Sequence, residues 1–469
     1  MPTFYIEQFG CRATQADGAA IERQLREQGC QFASEAHAAD VVVLNTCTVT
    51  AAADTQARDA IRKLHAANPS TRIIVTGCYA QRAPEELAVL PGVSFVVGNS
   101  HKPQIPNLVN SIHACTTPRD LSEFPLLPVL PAGMLAPREA TARILTGDIF
   151  DLTDVLVAPV LGGEGNHTRP TLKIQDGCNS RCSFCVIPFV RGKSRSLPPE
   201  KVVKEVQNLA ASGYREIVLS GINLGAYGRD LSPRADFLSL LQRILDETSL
   251  ERLRVSSIEP LDVSLSLIDL IASTDRLTPH FHMPLQSASD RILAAMHRWY
   301  RAEHYARRVE LIHERLPHAA IGADVITGFP GETEADHEAT MRFIAERPFT
   351  YLHVFSYSQR PGTKAAVLPN QVPGGVIKRR ARELRALAEI KSAEFRASQI
   401  GRTLRVLTLR RGPLDDPCST TGISENYLAI QLPFALTSNE LFTARVTHVE
   451  GKNLCAVPLE PVLAVPETS

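Results

Sequence analysis

Apolar runs alternate with helical patterns over the first hundred residues. Three short runs are continuously apolar, and segments with helical periodicity lie between them. Continuous apolar strands separated by helices are typical of a parallel sheet that is covered on both faces. We therefore expect a parallel-sheet α/β domain at residues 1–113. Its predicted strands are 4–6, 41–44 and 73–75, and its predicted helices are 16–28 and 51–67.

A second and more regular alternation begins at Thr171. Six apolar strands are separated by amphipathic helical stretches. Because a complete barrel of this kind has eight strand–helix units, six units predict a partial (βα)6 barrel at residues 169–375. The predicted strands are 171–175, 216–220, 253–257, 280–284, 321–326 and 351–355. Three histidines in these strands are expected to be core residues: His280, His282 and His353.

A long helix and several short strands are predicted after the barrel. The helix covers residues 376–400, and the strands that follow indicate a small all-β barrel at residues 401–464. Residues 114–168 contain prolines at 118, 125, 128, 131 and 137, and prolines break long helices. This segment is predicted to be a linker, with a short helix near 137–145.

The composition limits the class of protein. Hydrophobic residues make up 44% of the chain and charged residues 21%, as in ordinary soluble proteins. No apolar run reaches the length of a membrane span, and the first residues do not resemble a signal peptide. We therefore expect a cytoplasmic protein with no membrane partner, whose ten cysteines serve as ligands rather than as disulfides.

Basic residues are concentrated in one part of the chain. The whole sequence has fifty basic and fifty acidic residues, so binding to nucleic acid requires a local patch. Residues 376–411 contain eleven basic and three acidic residues, a net charge of +8. Either a solvated helix face or a site for RNA phosphates explains this run. A small basic barrel at the end of an enzyme is a common RNA-binding arrangement.

Three cysteines follow the first barrel strand with the spacing C-x3-C-x2-C: Cys178, Cys182 and Cys185. Thiolates select zinc, copper or iron–sulfur clusters, and structural zinc usually takes four protein ligands. No fourth cysteine or histidine lies close by in the sequence. Because three thiolates leave one iron of a cluster open for chemistry, we favour a cluster over a zinc loop or unrelated thiols.

Each predicted strand of the first domain is followed by a cysteine: Cys11, Cys47 and Cys78. The carboxyl ends of parallel strands meet at one edge of the sheet, where open α/β sheets bind ligands. We therefore predict a second iron–sulfur cluster on these residues, with buried structural thiols as the alternative. The isolated cysteines are expected to be structural: Cys30, Cys115, Cys418 and Cys455.

The C-x3-C-x2-C spacing resembles that of the radical S-adenosylmethionine (SAM) enzymes. In that family, three cysteines hold a [4Fe–4S] cluster whose free iron binds SAM. The resemblance implies that Cys178, Cys182 and Cys185 are catalytic, and that Phe184 lies near the adenine.

The domain order and several longer motifs resemble the tRNA methylthiotransferases. That family has an N-terminal cluster domain, a radical SAM barrel and a C-terminal RNA-binding barrel called TRAM. The matching stretches are 45–50, 76–81, 173–178, 282–287 and 324–333. Residues 48–50 and 221–228 are most similar to the branch that acts on threonylcarbamoyladenosine. Branches that act on isopentenyladenosine or on a ribosomal-protein aspartate are the alternatives.

The resemblance implies that a methylthio group is inserted at C2 of an adenosine beside the tRNA anticodon. It also implies two [4Fe–4S] clusters, SAM, an electron donor such as flavodoxin or ferredoxin, and a sulfur source. The candidate SAM contacts are Gly221, Ser256, Gln286, Gly328 and Gly331. The chain departs from the usual family residues at Thr14, Ala288 and Trp299, and the tryptophan replaces a basic residue.

Overall fold

The computed structural model describes residues 2–116, 142–156, 168–412, 416 and 418–459. The chain divides into two compact units. The first unit is Met1–Ala158 with Ile187–Gly192, and the second is Pro159–Val186 with Lys193–Ser469. Among the described residues, no helix is long and apolar enough to cross a membrane.

The first unit contains a six-stranded sheet whose pairs are all parallel, in the order β2-β1-β3-β4-β5-β6. Its strands are β1 (Thr3–Gln8), β2 (Gln31–Phe32), β3 (Val41–Thr46), β4 (Arg72–Gly77), β5 (Val93–Gly98) and β6 (Arg143–Leu145). Its helices are α1 (Arg12–Glu27), α2 (Ala51–Ala67), α3 (Cys78–Arg82), α4 (Pro84–Ala88), α5 (Ile105–Thr116) and α6 (Ile187–Arg191). Every residue of β3 is buried, as its continuous apolar run predicts, because helices cover both faces of the sheet.

The short helix predicted near residues 137–145 is wrong over the part that the structure describes. Residues 143–145 form β6, which pairs with Phe95–Val97 of β5 and forms the edge of the sheet. Backbone groups on the outer side of β5 require partners, and this segment supplies them. Three residues are too few for a periodicity to reveal such a strand. Residues 117–141 of the predicted linker lie outside the described part of the chain.

Six parallel strands of the second unit form the predicted partial barrel. Backbone bridges from Leu253 to Leu277 and from Ser257 to His282 connect its two sheets. The strands are β7 (Thr171–Asp176), β9 (Glu216–Gly221), β10 (Arg252–Val255), β11 (His280–His282), β12 (Ala320–Thr327) and β13 (Tyr351–Ser356), with an antiparallel β8 (Arg195–Ser196) beside β7. The helices are α7 (Pro199–Ala211), α8 (Phe237–Glu247), α9 (Leu265–Ala272), α10 (Asp290–Ala295), α11 (Ala302–Arg315) and α12 (Glu334–Ala345).

Side-chain caps explain where several of these helices begin. The Thr50 hydroxyl accepts a hydrogen bond from the Ala53 backbone amide at the start of α2. Thr333 and Asp336 form a reciprocal capping box at the start of α12. Because such caps satisfy amides that have no partner inside the helix, they fix where each preceding loop ends.

The chain continues into α13 (Gly374–Ala397) and a closed five-stranded barrel, in the strand order β14-β15-β16-β18-β17. Its strands are β14 (Thr403–Thr408), β15 (Thr420–Ser424), β16 (Ala429–Leu432), β17 (Leu441–Glu450) and β18 (Asn453–Pro458). Alternate apolar side chains of these strands fill the interior, including Val406, Ile430 and Val446. The predicted fold class, a parallel-sheet domain, a partial barrel and a small all-β barrel, is therefore confirmed.

Two fully buried arginines attach the small barrel to the partial barrel. Arg252 and Arg254 of β10 both pair with Glu216 of β9, and all three side chains are inaccessible to solvent. Their remaining guanidinium N–H groups donate to four backbone carbonyls of the small barrel. The acceptors are Arg405 and Ile423 for Arg252, and Ser424 and Glu425 for Arg254. This buried anchor holds the second unit together.

Candidate active site

The three cysteines of the C-x3-C-x2-C stretch lie on one loop that follows β7. The backbone amide of Cys185 donates to the carbonyl of Cys182 at 3.2 Å, so the loop turns between its last two thiols. Ser183 attaches the loop to α10, because its amide donates to the Met296 carbonyl at 3.0 Å and its hydroxyl to the Ala295 carbonyl at 2.8 Å. All three cysteines are partly exposed.

Arg298 is a site residue that the sequence did not reveal. Its Nη1 donates to Cys182 Sγ at 3.2 Å, and its other terminal nitrogen forms an ion pair with Glu259. Burial raises the pKa of the Cys182 thiol, while the guanidinium acts in the opposite direction. Because 116 positions separate Arg298 from Cys182, no local spacing connects them. A cation beside a thiol suits a thiolate that holds a metal cluster.

Phe184 is part of the cysteine loop and packs against neighbouring apolar side chains. It contacts a buried apolar cluster that contains Ile292, Met296, Phe329 and Ala365. The backbone amide of Ala365 donates to the Ser183 carbonyl at 2.8 Å. The aromatic residue therefore fixes the cysteine loop, and its predicted position near an adenine stays a prediction.

Several buried polar atoms lack partners where the barrel strands end. Each has no hydrogen-bond partner among the residues that the structure describes, although buried polar groups normally have one. These atoms are Asn223 Oδ1, Gln286 Oε1, Thr327 Oγ1 and Tyr357 OH. They follow β9, β11, β12 and β13, and parallel-barrel enzymes bind their ligands at this end. Unpartnered polar atoms at this end suit a polar ligand.

Gln286 stands out among the predicted SAM contacts. It is buried and has a φ of 62°, a left-handed conformation that is uncommon for a residue with a side chain. Such strain is concentrated at ligand-binding sites, and it coincides here with the unpartnered Oε1 atom. Ser256 is also buried, immediately after β10, and its amide donates to the Leu219 carbonyl at 3.0 Å.

The three predicted glycine contacts have different local reasons for being glycine. A Cβ at Gly221 would meet Leu224 at 2.8 Å and Gln175 at 3.1 Å. A Cβ at Gly328 would lie 2.4 Å from Ile377 of α13, so close packing of that helix excludes other residues there. Gly331 has a φ of +82°, and a Cβ there would lie 3.9 Å from Arg291 Nη1. Packing alone accounts for Gly328, and contact with SAM at all three stays a prediction.

The cysteines of the first unit follow β1, β3 and β4, at the carboxyl edge of the sheet. A Cβ at Gly10 would meet Cys47 Sγ at 2.9 Å, so a glycine with a φ of +106° lets Cys11 approach Cys47. Gly77, with a φ of +103°, directly precedes Cys78. Burial, together with the neighbouring Cys78 and Cys11 thiolates, raises the pKa of Cys47 to about 12. The three cysteines therefore lie at one edge of the sheet, and a cluster on them stays a prediction.

Buried cations lie beside these thiols. Asp17 accepts from Lys102 Nζ at 2.5 Å and from Arg191 Nη2 at 3.0 Å, and all three side chains are almost fully buried. Both basic side chains therefore contact the Asp17 carboxylate, and burial lowers the pKa of Lys102. Arg191 acts electrostatically on Cys47, and Lys102 interacts with Cys78. A bound anionic group, such as a thiolate-ligated cluster, would balance this charge.

Unpartnered polar atoms also surround the second set of cysteines. Asn45 Oδ1, Thr76 Oγ1 and Asn99 Oδ1 are buried, with no partner among the residues described. The Nδ2 atom of Asn99 lies 3.7 Å from Cys78 Sγ, and the Thr14 hydroxyl lies 3.6 Å from Cys11 Sγ. The residues present therefore fit an iron–sulfur group with polar atoms around it.

The barrel histidines form a network that the sequence did not predict. Asp324 Oδ1 accepts from His282 Nε2 at 2.9 Å and lies 3.3 Å from His353 Nδ1. Burial would raise the pKa of Asp324, but these two imidazoles hold it well below its usual range. His280 and His282 are buried, as expected for core residues. The side chain of His353 is 57% exposed, so the core interpretation is wrong for this residue.

The basic helix α13 has two kinds of arginine. Arg380 is buried and pairs with Glu332 at 2.8 Å, while Arg379 pairs with Glu334 at 2.7 Å and with Glu383 at 3.0 Å. Lys378, Arg382 and Arg385 are exposed and follow the helical spacing of one face. We call these three residues the basic stripe. Only part of the net charge of the segment is therefore available to a partner.

Two family models match separate parts of the chain. The model described as uncharacterized protein family UPF0004 matches residues 3–98, and that of the radical SAM superfamily matches residues 172–344. The fold resembles that of a radical SAM methyltransferase from Kitasatospora setae, with a TM-score of 0.53 and 17% identity. The likeness covers 78% of this chain and 77% of that one, and it concerns the fold alone.

Curated proteins with higher identity match almost the whole chain. The threonylcarbamoyladenosine tRNA methylthiotransferase of Aquifex aeolicus is 38% identical over 91% of this chain and 95% of its own length. The Bacillus subtilis protein of the same name is 34% identical, over 92% and 90%. A tRNA-2-methylthio-N6-dimethylallyladenosine synthase of Thermobifida fusca is 36% identical, over 88% of this chain and 79% of its own.

Proposed function

Because the chain belongs to the tRNA methylthiotransferase family of radical SAM enzymes, we propose its substrate and the residues that act on it. The protein inserts a methylthio group at C2 of N6-threonylcarbamoyladenosine, next to the anticodon of tRNA. The main support is its identity of 33–38% with three threonylcarbamoyladenosine enzymes over most of its length. The motifs after Cys47 and at residues 221–228 favour the same branch.

Cys178, Cys182 and Cys185 hold the first [4Fe–4S] cluster. With SAM bound, such a cluster supplies the radical chemistry that removes hydrogen from a carbon that has no acidic proton. The protein binds and orients SAM and the RNA substrate, and it excludes water from the site. Gln286 and Asn223 direct unpartnered amide oxygens into the strand-end region, where they hold the polar groups of SAM.

The second set of cysteines, Cys11, Cys47 and Cys78, holds a second [4Fe–4S] cluster that carries the sulfur to be inserted. Support comes from the buried cations of Lys102 and Arg191, because an anionic cluster offsets their desolvation. The glycines before Cys11 and Cys78 allow the thiols to converge. A second SAM molecule supplies the methyl group, an external sulfur source replaces the sulfur that is inserted, and an electron donor such as flavodoxin or ferredoxin supplies the electrons.

The small C-terminal barrel and the basic stripe of α13 bind the tRNA. Exposed cations release counterions when they neutralise phosphates, so they contribute affinity without reading the base sequence. Recognition of the modified adenosine itself belongs to the partial barrel. There, the exposed imidazole of His353 offers a polar group that an isopentenyl substituent would not require.

The test compares two anticodon stem-loops that differ only in the adenosine modification. Purified and reconstituted protein should methylthiolate the threonylcarbamoyl RNA with a catalytic efficiency roughly 10⁴ times that for the isopentenyl RNA. Nucleoside mass spectrometry measures both products. Turnover of the isopentenyl RNA alone would overturn the substrate while leaving the methylthiotransferase reaction intact. Turnover of neither RNA, with methylthiolation of a ribosomal-protein aspartate, would overturn the RNA substrate altogether.

A further inference from the structure

We propose that Trp299 is a stacking platform for an unpaired RNA base that flanks the modified adenosine, an inference that rests on the proposed function above. Trp299 is the single tryptophan of the chain and has 80% of its surface exposed. Exposed aromatic side chains provide flat surfaces on which unpaired RNA bases stack.

The backbone on both sides of Trp299 is fixed by buried neighbours. Arg298 is held by Cys182 and Glu259. The Tyr300 hydroxyl donates to the carbonyls of Pro284 at 2.6 Å and Leu285 at 3.0 Å. Trp299 lies between two side chains that both point into the protein, so its ring is directed outwards. Its exposure is therefore imposed by the fold.

Trp299 also directly follows Arg298, the residue that contacts the first cluster site. Consecutive Cα atoms are about 3.8 Å apart, and the neighbouring Arg298 guanidinium reaches a thiol of the first cluster site. The amide of Ser183 in the cysteine loop bonds to the carbonyl of Met296, three residues before Trp299. An adenosine that reacts at this site brings its flanking nucleotides to the same surface. A base one position away is then within reach of the indole ring.

The charges around Trp299 favour RNA as the occupant. Arg291 and Arg298 are paired with Asp336 and Glu259, so they are not the basic groups offered to RNA. His297 and Arg301 are exposed on either side of the tryptophan. Cations beside an exposed ring hold phosphates while the ring stacks on the base. An electron-donor protein with an acidic face would meet the same cations, but it would not require a bare aromatic ring.

The single tryptophan makes this proposal directly measurable. Full-length reconstituted protein is titrated with the threonylcarbamoyl stem-loop, and tryptophan fluorescence should be quenched to saturation. Trp299→Phe contains no tryptophan and gives the background. Trp299→Ala should weaken stem-loop binding by roughly 10-fold, with the loss in KM rather than kcat, and Trp299→Phe should restore most of the affinity. Val89→Ala removes a side chain that is 71% exposed in the first unit and should change nothing.

Abasic nucleotides identify the stacked base. With an abasic site on one particular side of the adenosine, the quench should disappear and wild-type and Trp299→Ala proteins should bind equally. An unquenched signal, or equal affinity of the two proteins for the intact stem-loop, overturns the platform if the wild type still methylthiolates that RNA. A quench by flavodoxin and none by RNA would make this surface a docking site for the electron donor, and would equally overturn it. Failure of the wild type to methylthiolate overturns the proposed function instead.

Discussion

The side chain of Arg298 connects the cysteine loop after β7 with Glu259. It donates to Cys182 Sγ and pairs with Glu259, which follows β10. Hydrogen bonds and positive charge at a ligand sulfur stabilise the reduced and more negative state of an iron–sulfur cluster. A radical SAM reaction requires that state, so Arg298 is well placed to favour reduction.

Replacing Arg298 should therefore lower the reduction potential of the first cluster. Arg298→Met removes both the hydrogen bond and the charge, while Arg298→Lys keeps the charge and should give an intermediate potential. A spectroscopic redox titration at matched iron content measures the order. Arg307→Met is the control, because Arg307 is exposed and pairs only with Glu303 among the described residues. An unchanged potential in Arg298→Met would show that the contact serves only to hold the loop.

Substitutions in the two sets of cysteines should affect different steps of the reaction. Cys182→Ala removes one of three ligands of the first cluster and should abolish SAM cleavage. Cys47→Ala should retain SAM cleavage and stop the formation of methylthiolated RNA, since the sulfur-carrying cluster is lost. Iron content, SAM cleavage and RNA product are measured on the same preparations, with Cys30→Ala as the control for a buried thiol outside both sites. Normal methylthiolation by Cys47→Ala would contradict the second cluster.

The helix α13 carries two groups of basic side chains, those that pair with carboxylates and those that are exposed to solvent. Its buried Arg380 fixes the loop that contains Gly328, because Glu332 accepts from both Arg380 and the Gly328 amide. The basic stripe lies on another face and is exposed. The sequence predicts the net charge of this segment, but it does not show which guanidiniums are paired. That distinction depends on carboxylates from α12 and the preceding loop.

Charge reversal of the basic stripe tests the role of α13 in RNA binding. Lys378→Glu, Arg382→Glu and Arg385→Glu together should weaken tRNA binding and reduce the slope of log affinity against log salt by roughly 2 to 3. Binding is measured across a salt series. Reversal of Arg23, Arg26 and Arg62 changes the net charge equally on exposed helices of the first unit and should have a smaller effect. Equal effects of the two sets would indicate an unspecific charge effect.

The sequence predicts the elements better than the contacts between distant residues. The sequence predicts all six barrel strands, and burial on both faces explains the apolar runs of strands such as β9, whereas β13 has no buried residue. The location of Cys11, Cys47 and Cys78 at one sheet edge is also predictable, since strand ends of a parallel sheet share that edge. Arg298 and the Asp324 network are not predictable, because their partners are distant in sequence. Strand β6 is missed because three residues show no periodicity.

At the largest scale, the buried anchor makes the second unit continuous from the partial barrel to the small barrel. Burial alone would raise the pKa of Glu216, but Arg254 and Arg252 outweigh it and hold the pKa far below its usual range. Tyr427 of the small barrel adds to the contact, with its ring 4.5 Å from that of His280 and under the Arg254 guanidinium at 5.2 Å. Buried arginines are tolerated only when they are fully paired, so each barrel depends on the other.

Removal of the small barrel should therefore destabilise the partial barrel. A chain that ends at residue 400 leaves Arg252 and Arg254 without the four carbonyls that accept from them, and it removes the contact of Tyr427 with His280 and Arg254. Thermal unfolding and limited proteolysis of the partial barrel measure the loss. In the full chain, Glu216→Gln leaves both buried guanidiniums without their carboxylate, and such an uncompensated buried charge should cost about 3–5 kcal/mol. If the unsubstituted shortened chain unfolds at the same temperature as the full chain, the small barrel is an independent appendage and the anchor carries no stability.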